Sequence, residues 1–264
     1  MNNHFTILTL GYNTKDWIGR CLDSIVDQDY DNYDVIAIDA CTTDGTFDIV
    51  RQYEIEHDRM TVVRKNHRCF QVENTLHGVL LSKPNSIIVT VDFDDWLPDN
   101  QVLNRLNAVY NPDVWMTYGT YCEYHGNEQY RFFPPGFFYR YPNNIVENND
   151  FRSHRWLASH LRTFRRELFL NINHDDLIDP RTKTYYDMAG DFCFMLPMIE
   201  MCGERFEHIP DTMYVYNRTN ELSEDKHDHR DGTIGVSRQE ATADSIRNKQ
   251  RYVRLDSLQQ EVTV

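Results

Sequence analysis

The 264-residue chain has the length of one large domain or two small ones, enough to bury a real core. Its 41% hydrophobic and 26% charged residues are ordinary for a soluble globular protein, and no apolar run reaches membrane-spanning length. A net charge of −14 weighs against nucleic-acid backbone binding as the main task, while leaving room for a local cationic pocket.

No basic segment followed by an apolar run opens the chain, so no secretory leader is read there. Six scattered cysteines, with no C-x-x-C pair and several in apolar segments, fit reduced thiols. A cytoplasmic location is the expectation.

Phe5–Leu10 reads as a buried strand, and Gly11 then permits a tight turn or close approach of a ligand to the backbone. Asn13 or Thr14 caps a helix whose apolar stripe is Trp17, Ile18, Cys21, Leu22, Ile25 and Val26. Tyr33–Ile38 is a second strand ending in Asp39. Thr43 or Asp44 caps a second helix that runs to about His57. A short strand at Met60–Val63 and a weaker helix at Val72–Leu81 lead to the most informative stretch, Ile87–Trp96. There five β-branched residues run straight into Asp92, Asp94, Asp95 and a tryptophan.

This alternation predicts a mostly parallel sheet with helices on both faces, whose ligands bind at the C-terminal strand ends. A strand's period of two puts Asp92 and Asp94 on one face, with Asp95 elsewhere unless the chain turns. Three crowded carboxylates call for a cation, most simply Mg²⁺ or Mn²⁺ shared with a substrate phosphate. The plainer alternative is an acid capping the helix that starts near Pro98-Asp99. No G-x-G-x-x-G follows the first strand and no P-loop is present, which argues against those two nucleotide-binding designs.

After a helix at Asp99–Tyr110 the sequence turns aromatic. Val114–Tyr124 is strand-like, and Tyr130–Tyr141 is either part of an acceptor site or filling between sheet and helices. His154–Leu170 has apolar residues close to a helical stripe. Most of its arginines are expected in solvent, with Arg162 the nominee for pairing a phosphate or carboxylate. Met188–Cys202 is apolar apart from Asp191 and Glu200, and Pro197 is expected to kink or break its helix. Asp191 either caps that helix or has a chemical role. Thr212–Asn217 is a last strand. The polar remainder contains a helix-like Gln239–Arg251, either packed on the core or partly disordered. His227 and His229, near Asp225 and Asp228, return a metal ligand to the site or belong to a solvated charge run.

Together FTILTLGYN, DSIVDQDYDNYDVIAID, CTTDGT and VDFDDWL resemble, in that order, the N-terminal half of family 2 glycosyltransferases of the GT-A fold. The resemblance is close over Phe5–Pro98 and looser to about Asn217. It implies a GT-A fold, with a Rossmann-like central sheet and a C-terminal acceptor-side region. Residues 1–110 would form the donor half and residues 111–217 the acceptor and base half of one domain, with 218–264 a partly helical tail. The implied activity is inverting transfer from a nucleotide-diphosphate sugar, a UDP- or GDP-sugar foremost, to a glycan, lipid-linked or protein acceptor.

The resemblance also implies a donor site at Leu10, Tyr12, Asn13, Asp39, Asp92, Phe93 and Asp94. A Mn²⁺ or Mg²⁺ would be held by Asp94, Asp92 and Asp95, and Asp191 would be the general base. The chain departs from the family pattern at Ala40, at Leu10-Gly11, at Glu73 and at Gly190. A Mg²⁺-dependent phosphohydrolase and a non-catalytic sugar- or nucleotide-binding module are the competing readings.

Overall fold

The computed structural model describes residues 2–223 and 238–258. Four strands, β1 (Phe5–Gly11), β2 (Tyr33–Asp39), β3 (Met60–Arg64) and β4 (Ile87–Asp92), lie parallel in the order β3-β2-β1-β4. They are joined by α1 (Lys15–Val26), α2 (Thr46–Glu56) and α3 (Gln71–Leu81), the alternation expected from the sequence. Strand alternation sorts the core into two layers. Phe5, Ile7, Val35, Val89 and Val91 face one way, onto Ile18, Leu22 and Ile25 of α1 and Leu103 and Leu106 of α4 (Val102–Val109). Leu8, Leu10, Ile36, Ile38 and Ile88 face the other way, onto α3 and α7 (Gly190–Cys202).

The second half of the chain extends the same sheet. β7 (Arg162–Arg165) pairs antiparallel with β4 and with β5 (Met116–Tyr124). β5 also carries the short β6 (Tyr130–Arg131) and, in parallel, β8 (Phe206–Asn217). The last strand is therefore longer than Thr212–Asn217, and its register against β5 shifts around Thr120. Two short helices, α5 (Asn143–Glu147) and α6 (Arg166–Leu170), flank this region.

The helical reading of His154–Leu170 is corrected. The segment enters as a loop, pairs Arg162 to Thr90 and Phe164 to Ile88, and turns helical only at Arg166. The unfilled hydrogen-bonding edge of β4 outweighs a local helical pattern. Phe164, Leu168 and Phe169 still reach one core. α7 is also unbroken at Pro197, being buried along almost its whole length, where packing outweighs a single missing N–H.

Caps differ in detail. Thr14 is the N-cap position of α1 but makes no side-chain cap bond. Asp44 instead accepts from the Lys15 and Thr46 amides, tying the starts of α1 and α2 together. Asp99 accepts from the Gln101 amide and pairs with Arg105, and α4 starts only at Val102.

Within the tail, α8 (Arg238–Arg247) packs on the core through Ile246. His227 and His229 lie outside the described residues. All six cysteines are free and five are buried. Among the described residues no helix is long and apolar enough to cross a membrane.

Candidate active site

The C-terminal ends of β1 and β4 open into a cavity of about 370 Å³. Its walls bring together Leu10 and Tyr12 around the end of β1, Asp92 and Asp94 around the end of β4, and Asp191 at the start of α7. Residues nearly a hundred positions apart in sequence therefore share one solvent space.

The chain turns immediately after β4, where the Asp95 amide donates to the Asp92 carbonyl. This turn separates the three acids. Asp94 Oδ2 accepts from Asn220 Nδ2 at 2.8 Å. Asp95 is 2% exposed, and both its oxygens are engaged, Oδ1 by the Asn217 amide and Oδ2 by the Tyr214 hydroxyl, each at 2.7 Å. Burial, and then the neighbouring charges of Asp94 and Asp92, push the Asp95 carboxyl well above the ordinary carboxylate range. Of the three acids, Asp95 is held inside the protein, while Asp92 and Asp94 line the cavity and carry the hard oxygen donors that a divalent cation takes. Their joint field, which raises Asp95, is one that such a cation would relieve, so the residues present fit Mg²⁺ or Mn²⁺.

Gly11 has a steric role. A Cβ there would stand 2.4 Å from the Phe93 Cβ, so the close approach is by a core side chain. Phe93 itself is wholly buried. Asn13 has a left-handed backbone, and its side chain accepts from the Thr43 amide, bridging two strand-end loops. Asp39 is also wholly buried, held by the Thr42 amide and by Arg64, and its neighbour Ala40 lines the cavity. Tyr12 is covered by the Arg68 guanidinium, 3.8 Å from its ring centre.

Asp191, which lines the same cavity, sits in the first turn of α7, where the helix dipole favours a carboxylate. Its Oδ2 accepts from Arg162 Nη2 at 2.7 Å. Arg162 is buried, reaches the Ala158 carbonyl through Nε, and lies 3.4 Å from His160 Nδ1. His160 stacks on Tyr214, with ring centres 4.4 Å apart, and burial next to Arg162 depresses its pKa well below the usual histidine value. A chain of contacts therefore runs from Asp191 through Arg162, His160 and Tyr214 to Asp95. Gly190 lets α7 begin here, since a Cβ would meet Gln71 Oε1 of α3 at 2.6 Å.

The nominee Arg162 thus pairs with a carboxylate rather than standing in solvent. His160, Tyr214 and Asn220 carry no local sequence signal, because each acts through partners on distant segments. The aromatic segment is split. Tyr141 is core, whereas Phe133 and Phe138 cluster on Tyr121, which lines the cavity, and Phe132 and Phe137 are exposed.

The strand ends of the sheet and the start of a helix thus bring carboxylates to one cavity. The family model for glycosyl transferase family 2 matches residues 6–172, more than half of the chain, and the chain belongs to that family. It is similar to the glycosyltransferase GlyA of Streptococcus pneumoniae, 20% identical over 226 residues that make up 82% of this chain and 31% of GlyA. It is also 26% identical over 116 residues, 44% of this chain and 45% of the relative, to WfaP of Escherichia coli. WfaP is named as a UDP-Glc:alpha-D-GlcNAc-diphosphoundecaprenol beta-1,3-glucosyltransferase.

Among solved structures, S. aureus TarS 1–349 in complex with UDP-GlcNAc superposes with a TM-score of 0.61 at 17% identity, covering 82% of this chain and 59% of that one. The mannosyltransferase PcManGT from Pyrobaculum calidifontis, in complex with GDP-Man and Mn²⁺, gives 0.60 at 20% identity, covering 93% and 69%. These likenesses establish the GT-A fold. The chain spans less than a third of GlyA and less than half of WfaP.

Proposed function

We propose that this chain transfers a sugar, with inversion, from a nucleoside-diphosphate donor to an acceptor hydroxyl. The observation that carries the reading is that Asp92, Asp94 and Asp191 line one cavity. That TarS was solved with UDP-GlcNAc and PcManGT with GDP-Man supports a UDP- or GDP-sugar as donor. The acceptor is a hydroxyl of a glycan, a lipid-linked saccharide or a protein.

In this mechanism the acceptor oxygen bonds to the anomeric carbon as the bond from that carbon to the diphosphate oxygen breaks on the opposite side. Asp191 takes the acceptor proton as general base. Arg162 fixes one of its oxygens, so the carboxylate is oriented before substrate arrives. A Mn²⁺ or Mg²⁺ held by Asp92 and Asp94 would supply charge neutralisation for the leaving diphosphate. Asp95 anchors Tyr214 and Asn217 behind those two acids. Leu10 and Tyr12 line the donor side, with Asp39, Asn13 and Phe93 supporting it from below.

Thermal shift with UDP, GDP and their sugar conjugates, with and without Mn²⁺, tests the donor site. A ligand at about a hundred times its dissociation constant adds about 2.7 kcal/mol of stability. The expected result is a metal-dependent shift with one nucleotide that Asp94→Ala abolishes. No shift with any of them, in folded protein with metal present, overturns the donor site and favours the phosphohydrolase or a non-catalytic module.

A further inference from the structure

A second set of metal-ligating side chains stands at the edge of the same cavity, on the loop that enters α3. Cys69 Sγ lies 3.4 Å from His67 Nε2 and 3.1 Å from Glu73 Oε1, and the last two atoms are 3.8 Å apart. A tetrahedral zinc ion has bonds of about 2.3 Å to sulfur and about 2.0–2.1 Å to nitrogen and oxygen. Those lengths give ligand-to-ligand edges of about 3.3–3.6 Å. The Sγ–Nε2 separation lies in that range and the other two miss it by about 0.2 Å, so a small side-chain adjustment brings the three atoms onto one face of such a tetrahedron.

Two further observations point the same way. His67 Nδ1 lies 2.6 Å from Asn66 Oδ1, an acceptor, so Nδ1 carries the proton and Nε2 presents its lone pair to Cys69 and Glu73. An outer hydrogen bond of this kind is what orients a metal-binding histidine. Exposure is graded as entry of an ion requires: Cys69 is 1% exposed, while the side chains of Glu73 and His67 are 25% and 65% exposed.

We propose that His67, Cys69 and Glu73 bind a borderline-soft divalent cation, Zn²⁺ foremost, at a site separate from the oxygen-only pair Asp92 and Asp94. The donor set decides the metal: thiolate and imidazole select zinc over Mg²⁺ or Mn²⁺. On binding, the thiol proton now directed at Glu73 is released to solvent, and Sγ, Nε2 and Oε1 each form one bond to the cation. A water completes the fourth position on the exposed side. Lys65 Nζ, 3.1 Å from the same Glu73 oxygen, is the cation that zinc must displace. Cys69 lines the cavity, and its neighbour Arg68 covers Tyr12, so an ion here pins one cavity wall. The inference does not depend on the transferase reading.

Co²⁺, which reports sulfur ligation through a thiolate-to-metal charge-transfer band, is the probe. Chelator-treated full-length protein titrated with Co²⁺ should develop that band at one equivalent, and Zn²⁺ should abolish it. Cys69→Ser should lose the band, and Asp94→Ala should keep it. Asn66→Ala should weaken binding about 10- to 100-fold by releasing the imidazole, and Lys65→Met should tighten it. Absence of the band in the unmodified protein, its survival in Cys69→Ser, or its loss in folded Asp94→Ala would overturn the site.

Discussion

Two arginine–carboxylate pairs sit on one helix, and they differ in almost every physical respect. Near the end of α7, Glu200 is fully buried and clasped by Arg152 through two bonds, Nε to Oε1 at 2.6 Å and Nη2 to Oε2 at 2.8 Å. Arg152 also donates to the Ile246 and Lys249 carbonyls, and Glu200 accepts from the Tyr252 amide. At the other end, Asp191 has a 23% exposed side chain and meets Arg162 through one bond. The first pair is closed and satisfied, fastening the tail to the core. The second opens on the cavity. Similar chemistry yields a fastening where it is sealed and, on the proposed reading, a general base where it is left open.

Neutral amide substitutions at the two acids break the comparison most directly. Asp191→Asn should reduce turnover about 10²- to 10⁴-fold, the span of a lost general base. Its melting temperature should fall as well, because Arg162 is buried, but by less than in Glu200→Gln, since Asp191 is partly open to the cavity and meets Arg162 through a single bond. Steady-state rates and thermal melts on one preparation check both halves. Glu200→Gln should show the opposite balance. Leaving Arg152 buried without its carboxylate should cost about 3–5 kcal/mol of stability. Denaturant melts measure this, and a near-normal specific activity in the folded fraction is expected. If Glu200→Gln proves as stable as wild type, the sealed pair is no fastening.

Replacing both partners of the sealed pair, Arg152→Met with Glu200→Leu, should cost less than Glu200→Gln alone, because no buried charge is stranded. A double-mutant cycle reads the difference.

The smallest expected effect concerns pH. His160 stays neutral in the fold because burial and Arg162 depress its pKa. As pH falls through about 6.5 the unfolded imidazole binds a proton that the folded one refuses, so stability drops with acidification. Between about pH 7 and about pH 5, wild type should lose more melting temperature than His160→Asn. Equal slopes would mean that the histidine titrates freely.

The parallel half of the fold was legible because its information is local. Apolar alternation, helical stripes and strand-end acids each sit within a dozen residues. Strand β7 was not, because its four residues, Arg162–Arg165, belong to a segment with a helical pattern until the open edge of β4 claims them. Asp191 is nominated as base by the family resemblance; the local pattern alone leaves both capping and catalysis open. Glu200 offered an unused signal. An acid in an apolar helix demands a buried cation, but its partner lies 48 residues away and reads as one more surface arginine. The strand period already set Asp95 apart from Asp92 and Asp94, whereas the family resemblance grouped all three on a metal; the structure holds Asp95 inside, on Tyr214 and Asn217.

One contact sets a limit on how this molecule can change. The first turns of α3 and α7 touch where Gly190 meets the side chains of Gln71 and Val72, at 2.6 Å from Gln71 Oε1 and 3.2 Å from Val72 Cγ2 for an added Cβ. The fit of the two helices beside the cavity is thus set by side chains, one of them able to swing away. Gly190→Ala would keep every acid that lines the cavity and press on Gln71 and Val72 instead, so on the proposed reading it should lower the rate without removing a group that reacts.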